Sequence, residues 1–219
     1  VVGPSGMQVT HVFPTAGVPT VRVTAEDKDG GIGPEATTVV TVSKFLLAPD
    51  PENGALTSLF YGGSDGAVGD VTMLVSADGN LYVMEHNLST GSTHVETFAG
   101  ITGGVYLYGQ GGNDMLIGEF ADLPLYIDGG AGNDVVYGGL MSDVLDGGIG
   151  NDIVHGGRMG DDSLTGGSGL DLLVGGSGSD FLDGGDNEDV IVGGTSPGLE
   201  RLESLFALRA DWASGGPYA

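Results

Sequence analysis

The sequence predicts an all-β protein. Its main part is a parallel β-roll, a two-sheet solenoid of nine-residue repeats, preceded by a β-rich cap and partial β-sandwich strands and followed by a C-terminal helix. Three observations predict it. From Gly109 onward, glycine and aspartate recur with a period of nine. The eighth place of successive units is always aliphatic: Leu116, Ile127, Val136, Leu145, Val154, Leu164, Leu173, Leu182 and Ile191. Finally, the 44 glycines coexist with 40% hydrophobic residues. Disordered low-complexity chains carry fewer aliphatics, and collagen needs glycine at every third place.

The 219 residues suit one or two domains with a sizeable core. Acids outnumber bases 30 to 6, a formal charge of −24. Such a chain repels nucleic acid and anionic membranes, which require basic patches, and attracts cations. There is no cysteine, so disulfides say nothing about the compartment. No stretch approaches the roughly 20 apolar residues of a membrane-spanning helix. Val1 is not a natural start, and the expectation is a piece of a longer chain.

Residues 1–43 read as short strands, with β-branched alternating runs at 20–25 and 37–42 around the turn-rich Asp27-Lys28-Asp29-Gly30-Gly31. His11-Val12-Phe13, Ala16-Gly17 and the Asp-x-Asp-Gly-Gly between two Thr/Val strands resemble the second half of a PKD-type (polycystic-kidney-disease-type) β-sandwich over roughly 35 residues. Residues 44–54, with Pro49-Asp50-Pro51-Glu52-Asn53-Gly54, read as a linker. Residues 55–108 read as a β-rich cap whose clearest feature is a hairpin, 71–76 and 81–85 around Asp78-Gly79.

The repeat block spans 109–197. Its cleanest unit is Gly129-Gly130-Ala131-Gly132-Asn133-Asp134-Val135-Val136-Tyr137, and further units begin at Gly138, Gly147, Gly156, Gly166, Gly175 and Gly184. An earlier one opens at Gly109-Gln110-Gly111-Gly112-Asn113-Asp114. The degenerate stretch 118–128 interrupts the spacing after it and puts the Asp114 site in doubt. Six glycine-bearing loop residues reach backbone conformations closed to other residues, and three more make a short strand with the eighth position inward. Stacking at ~4.8 Å would set the sixth-position aspartates in two columns. One holds Asp114, Asp134, Asp152, Asp171 and Asp189; the other holds Asp143, Asp162 and Asp180. Carboxylates that close repel by about 3 kcal/mol at an effective dielectric near 20. Residues 109–195 hold 16 acids and one base, Arg158, so neutralisation must come from outside the chain. Calcium, with six to eight oxygen ligands in tolerant geometry, suits this better than magnesium. A flexible acidic linker would not need an aliphatic in every unit.

The unit Gly-Gly-x-Gly-x-Asp-x-aliphatic-x resembles the RTX (repeats-in-toxin, haemolysin-type) calcium-binding family. That resemblance implies several calcium ions between successive same-side loops, held by aspartate carboxylates and loop carbonyls. The implied metal residues are the eight aspartates above with Gly130, Gly132, Gly148, Gly150, Gly167, Gly169, Gly176 and Gly178. The implied sites pair Asp134 with Asp152, Asp152 with Asp171, Asp171 with Asp189, Asp143 with Asp162, and Asp162 with Asp180. Departures are Gln110 for the second glycine, Met141 and Asn187 for the fourth, and an inserted Met159.

The two outer faces differ in composition. One carries Met115/Ile117, Val135/Tyr137, Ile153/His155, Leu172/Val174 and Val190/Val192 and is nearly all apolar. The other carries Asp128, Val144/Asp146, Ser163/Thr165 and Phe181/Asp183 and is mixed; its acid row is read as solvated or loop-capping. An apolar face of that size needs a cover. Five strands span about 19 Å and roughly 14 helical residues about 21 Å. The C-terminal stretch 198–219 therefore supplies the expected cover, a helix face of Leu199, Leu202, Leu205, Phe206 and Trp212; a second chain or the N-terminal β region is the alternative.

His11, His86, His94 and His155 show no metal-ligand spacing, and no nucleophile elbow, P-loop or cysteine nucleophile is present, so no enzyme is expected. His155, at an outward strand place, is read as packing. The expectation is a calcium-folded structural or adhesive module of a secreted or cell-surface protein, with a protein or a surface glycan as its unidentified partner. The alternative is an accessory or secretion-aiding module of an extracellular RTX protease or lipase whose catalytic domain lies elsewhere.

Overall fold

The computed structural model describes residues 20–23, 36–39, 45–63, 69–194 and 204–207. The chain divides into two compact units, 1–44 and 45–219. In the first, β1 (Thr20–Val23) and β2 (Ala36–Val39) pair antiparallel. The rest of the PKD-type resemblance, including His11-Val12-Phe13 and the Asp-x-Asp-Gly-Gly turn, lies outside the described residues.

The second unit is a parallel β-roll. One sheet is built from β4 (Thr57–Gly62), β8 (Val105–Tyr108), β10 (Leu125–Asp128), β12 (Val144–Ile149), β14 (Ser163–Ser168) and β16 (Phe181–Asp186), neighbours in that order and parallel. The other contains β5 (Asp70–Ala77), β9 (Met115–Phe120), β11 (Val135–Tyr137), β13 (Ile153–His155), β15 (Leu172–Val174) and β17 (Val190–Val192), again parallel. Successive strands of the roll alternate between the sheets, as two short units per coil require. Their facing side chains, Leu107, Leu116, Leu125, Ile127, Val136, Leu145, Val154, Leu164 and Leu173 among them, make one buried core.

Two antiparallel additions close the N-terminal end. β3 (Phe45–Pro49) pairs with β4, so strand occupies much of the stretch read as a linker. β6 (Asn80–Asn87) and β7 (Ser92–Ala99) extend the second sheet beyond β5. The expected hairpin is present, with Ala77 opposite Asn80 and Asp78 and Gly79 both at positive φ, as a primed turn demands.

Three findings differ from the sequence reading. Parallel stacking begins at β4 and β5, a full coil before the glycine–aspartate motif. The stretch 118–128 does not break the roll: its extra residues form a loop, and Leu125–Asp128 returns in register between β8 and β12. Finally, the expectation that every eighth position points into the core fails at Ile191, which is 49% exposed on the edge strand β17, where no further described strand covers it.

Of the C-terminal stretch, residues 204–207 are described and helical. Leu205 is fully buried among Val135, Ile153, Leu172 and Val174, on the apolar outer face, whereas Phe206 is 36% exposed and so is not part of a buried stripe. Leu199, Leu202 and Trp212 lie outside the described residues. Among the described residues, no helix is long and apolar enough to cross a membrane.

Candidate metal columns

The geometry of the columns follows from one repeated hydrogen bond. The sixth-position carboxylate of each coil accepts, through Oδ1, the backbone N–H of its counterpart one coil earlier. Asp114 donates to Asp134 at 2.7 Å, Asp134 to Asp152 at 2.7 Å, Asp152 to Asp171 at 2.8 Å and Asp171 to Asp189 at 3.0 Å. On the other side, Asp143 donates to Asp162 at 2.9 Å and Asp162 to Asp180 at 3.1 Å. The structure thus brings all eight expected aspartates into the two expected columns, with Asp114 in line despite the interruption that follows it.

The first column also runs further than the repeat motif. Asp70, at the start of β5, is buried and donates its N–H to Asp114 Oδ1 at 2.6 Å. Its own Oδ1 accepts instead from the Asn87 side chain at 2.8 Å. Gly62, Gly63, Gly66 and Gly69 precede Asp70, and a Cβ on Gly63 would sit 2.5 Å from Gly109 O, as at the later first-position glycines; Asp70 follows Gly63 by seven residues where the motif has five, so the nine-residue spacing did not mark it. The second column stops at Asp143, because Leu125 stands in the equivalent upstream place and donates its N–H to Asp143 Oδ1 at 2.8 Å. A further ladder was missed: Asn133 donates its N–H to Asn113 Oδ1 at 2.7 Å and Asn151 to Asn133 Oδ1 at 2.8 Å. These fifth-position amides bind each loop to its neighbour.

The second carboxylate oxygens are the chemically exceptional atoms. Oδ2 of Asp134, Asp162, Asp171 and Asp180 is buried without a hydrogen-bond partner. A buried acceptor left without a donor carries its full desolvation penalty. The space beside each is a cradle shaped by the first-position glycine. A Cβ on Gly129 would sit 2.5 Å from Gly147 O and 2.8 Å from Asp134 Oδ2, and one on Gly147 would sit 2.6 Å from Gly166 O and 2.8 Å from Asp152 Oδ2. Gly138, Gly156 and Gly166 repeat the arrangement with Asp143, Asp162 and Asp171. Asp143 differs in one respect, since its Oδ2 accepts from Gly139 N at 2.6 Å.

The glycines singled out from the motif have a different place. Gly130, Gly148 and Gly167 lie against the carbonyls of Gln110, Gly130 and Gly148, and Gly132, Gly150 and Gly169 against those of Gly112, Gly132 and Gly150. Gly176 and Gly178 lie against Gly157 O and Gly160 O. They are spacers between coils as much as carbonyl donors. Where the motif is broken the backbone conformation survives in part: Gln110 and Asn187 hold φ of 73° and 84°, the left-handed region that their glycine counterparts occupy.

Burial raises the carboxyl pKa values from 3.8, to about 6 for Asp134 and Asp171 and about 7 for Asp143 and Asp162. Desolvation leads in each case, opposed by the backbone N–H groups; at Asp162 the charges of Asp143, Asp180 and Asp161 add to it. Among the described residues, no three carboxylate or imidazole side chains converge on one point. His155 is buried, stacked on Tyr137 at 4.3 Å, and accepts from Gly157 N at 2.9 Å; burial lowers its pKa to about 4.

Fold and site together define a parallel β-roll with oxygen-lined columns suited to a hard cation. Residues 90–122, 128–164 and 165–195 match the family of the RTX calcium-binding nonapeptide repeat. The roll is thus similar to the RTX repeat, and calcium, several ions per roll, is its cofactor. No curated protein and no solved structure matches the chain.

Proposed function

We propose that this chain is a structural, adhesive module of a secreted or cell-surface protein, in which calcium entering the two columns converts a charged glycine-rich chain into a rigid roll. The observation that carries this reading is the row of buried Oδ2 atoms without donors, those of Asp134, Asp162 and Asp171 lying with a carbonyl of the next coil about the same first-position glycine. In this reading the ligands are Asp114, Asp134, Asp152, Asp171 and Asp189 on one side and Asp143, Asp162 and Asp180 on the other. The first-position carbonyls complete them, and the glycines of the second and fourth places keep adjacent loops close enough to share an ion. Cradles with so few charges bind at the weak, roughly 10⁻⁴–10⁻³ M end that suits extracellular calcium. The PKD-type stretch would place such a roll beside sandwich domains in a longer chain.

Gly147→Ala tests the site assignment. The added methyl fills one cradle and leaves the charge untouched, so calorimetry with calcium should show one ion fewer and a midpoint shifted to higher calcium. Unchanged stoichiometry and midpoint would remove the first-position carbonyls from the site.

A further inference from the structure

Within the repeat motif, the spacing of the first column departs from its period at one place. Asp134, Asp152, Asp171 and Asp189 follow one another at 18 or 19 residues, but Asp114 and Asp134 are 20 apart. The extra length enters pairing only in part, through Phe120 opposite Val75. β9 runs on to Phe120, and the chain then turns so that Asp122 N donates to Ser76 Oγ at 3.1 Å. This loop forms one wall of a cavity of about 370 Å³, whose other walls are the β5–β6 turn and the end of β7.

The lining has a distinct chemistry. Leu81 and Phe98, both buried, and the half-buried Leu123, packed against the main core, give it an apolar floor. Asp78 and Asp122, both exposed, stand at its rim, and no lysine, arginine or histidine lines it. Its volume lies in the range of small-molecule sites, and an apolar bed with a few placed polar groups is their usual construction. We propose that this cavity binds a small organic ammonium ion, its hydrocarbon part on Leu81, Phe98 and Leu123 and its charged nitrogen between Asp78 and Asp122. A bare divalent ion would leave the apolar floor unused, and an anion would meet two carboxylates. The site stands apart from the aspartate columns and does not depend on their assignment.

The test uses the whole chain in saturating calcium, titrated with hexylammonium and, separately, with hexanol, while amide NMR signals are followed. Saturable shifts at Gly79, Asn80 and Asp122 with hexylammonium, and none with hexanol at equal concentration, are expected. Asp78→Asn with Asp122→Asn should weaken binding at least tenfold while the remaining spectrum stays unchanged; Asp122→Asn alone, on the exposed loop, should give a smaller loss. Absence of saturable shifts, equal response to hexanol, or undiminished binding by the double variant would overturn the proposal. So would displacement of hexylammonium by further calcium but not by sodium at matched ionic strength, which would make the cavity a metal site.

Discussion

The first coil of the roll and the coils that follow share strand order, register and core, yet they treat buried acids in opposite ways. Near the first coil, Asp50 receives the Ser58 hydroxyl at 2.5 Å and the N–H groups of Asn53, Gly104 and Glu52, which hold its pKa down to about 2. Glu85, also buried, accepts from Tyr61 Oη at 3.2 Å, and Thr72 donates to the same Tyr61 oxygen at 3.3 Å. Asp70 leans on Asn87. In the repeats, burial pushes Asp143 and Asp162 up to about 7 even though backbone N–H groups reach both. The same solenoid is therefore built twice: once with its charges satisfied by protein, once with oxygens left for a cation. Under the proposed function the first coil stands without metal and the later coils are completed by it.

The largest expected effect would break that comparison if it failed. In excess chelator, amides of β12 to β17 should lose hydrogen-exchange protection together, since glycine entropy and carboxylate repulsion then stand without compensation, while those of β5 and β6 stay protected. Uniform loss, or uniform survival, would show that the two parts do not differ. Next in size is Leu164→Ala, at the centre of the repeat core and fully buried; in calcium it should destabilise the fold by about 2–5 kcal/mol, measured by denaturant titration.

pH sharpens the contrast further. Asp134, Asp143, Asp162 and Asp171 have folded-state pKa values of about 6 to 7, above the ordinary 3.8, so the metal-free folded chain holds protons that the unfolded chain releases. Its stability is then greatest below the unfolded value and is lost as pH rises through about 6 to 7. Circular dichroism in chelator should show more β structure at pH 5 than at pH 8, and calcium binding should strengthen over the same rise as it displaces those protons. Asp50 acts in the reverse sense, contributing above its unfolded pKa and ceasing to do so only as pH falls through about 2. The smallest effect is expected at Arg158, which reaches Glu119 with Nη2 at 2.5 Å and lies 5.4 Å from the centre of the Phe120 ring. The pair is exposed and salt-screened, so Arg158→Ala should change stability by less than about 1 kcal/mol.

Much of this was legible before folding. The two-sheet roll, the inward aliphatics from Leu116 to Leu173 and the membership of each aspartate column follow from a period of nine, because a strict repeat forces each unit into the environment of the last. The first coil was not legible as a coil. Thr72 stands where later units have an aliphatic, and Gly62, Gly63, Gly66 and Gly69 do not keep the spacing of the motif to Asp70; what makes it a coil is pairing to β8 and β9, dozens of residues away. The loop at 121–124 was likewise read as part of an interruption, since spacing counts residues along the chain and cannot show that they bulge outward while the register is kept.

What the sequence by itself determined is the repeating part: local glycine and aspartate chemistry, copied at a fixed interval, specifies both the coil and its need for a cation. Tertiary structure alone decided where that need ends. Leu125 closes one column and Asn87 the other, and Leu205 comes to lie on the apolar outer sheet. Each of these is a contact between residues distant in the chain, whose partners no local pattern encodes.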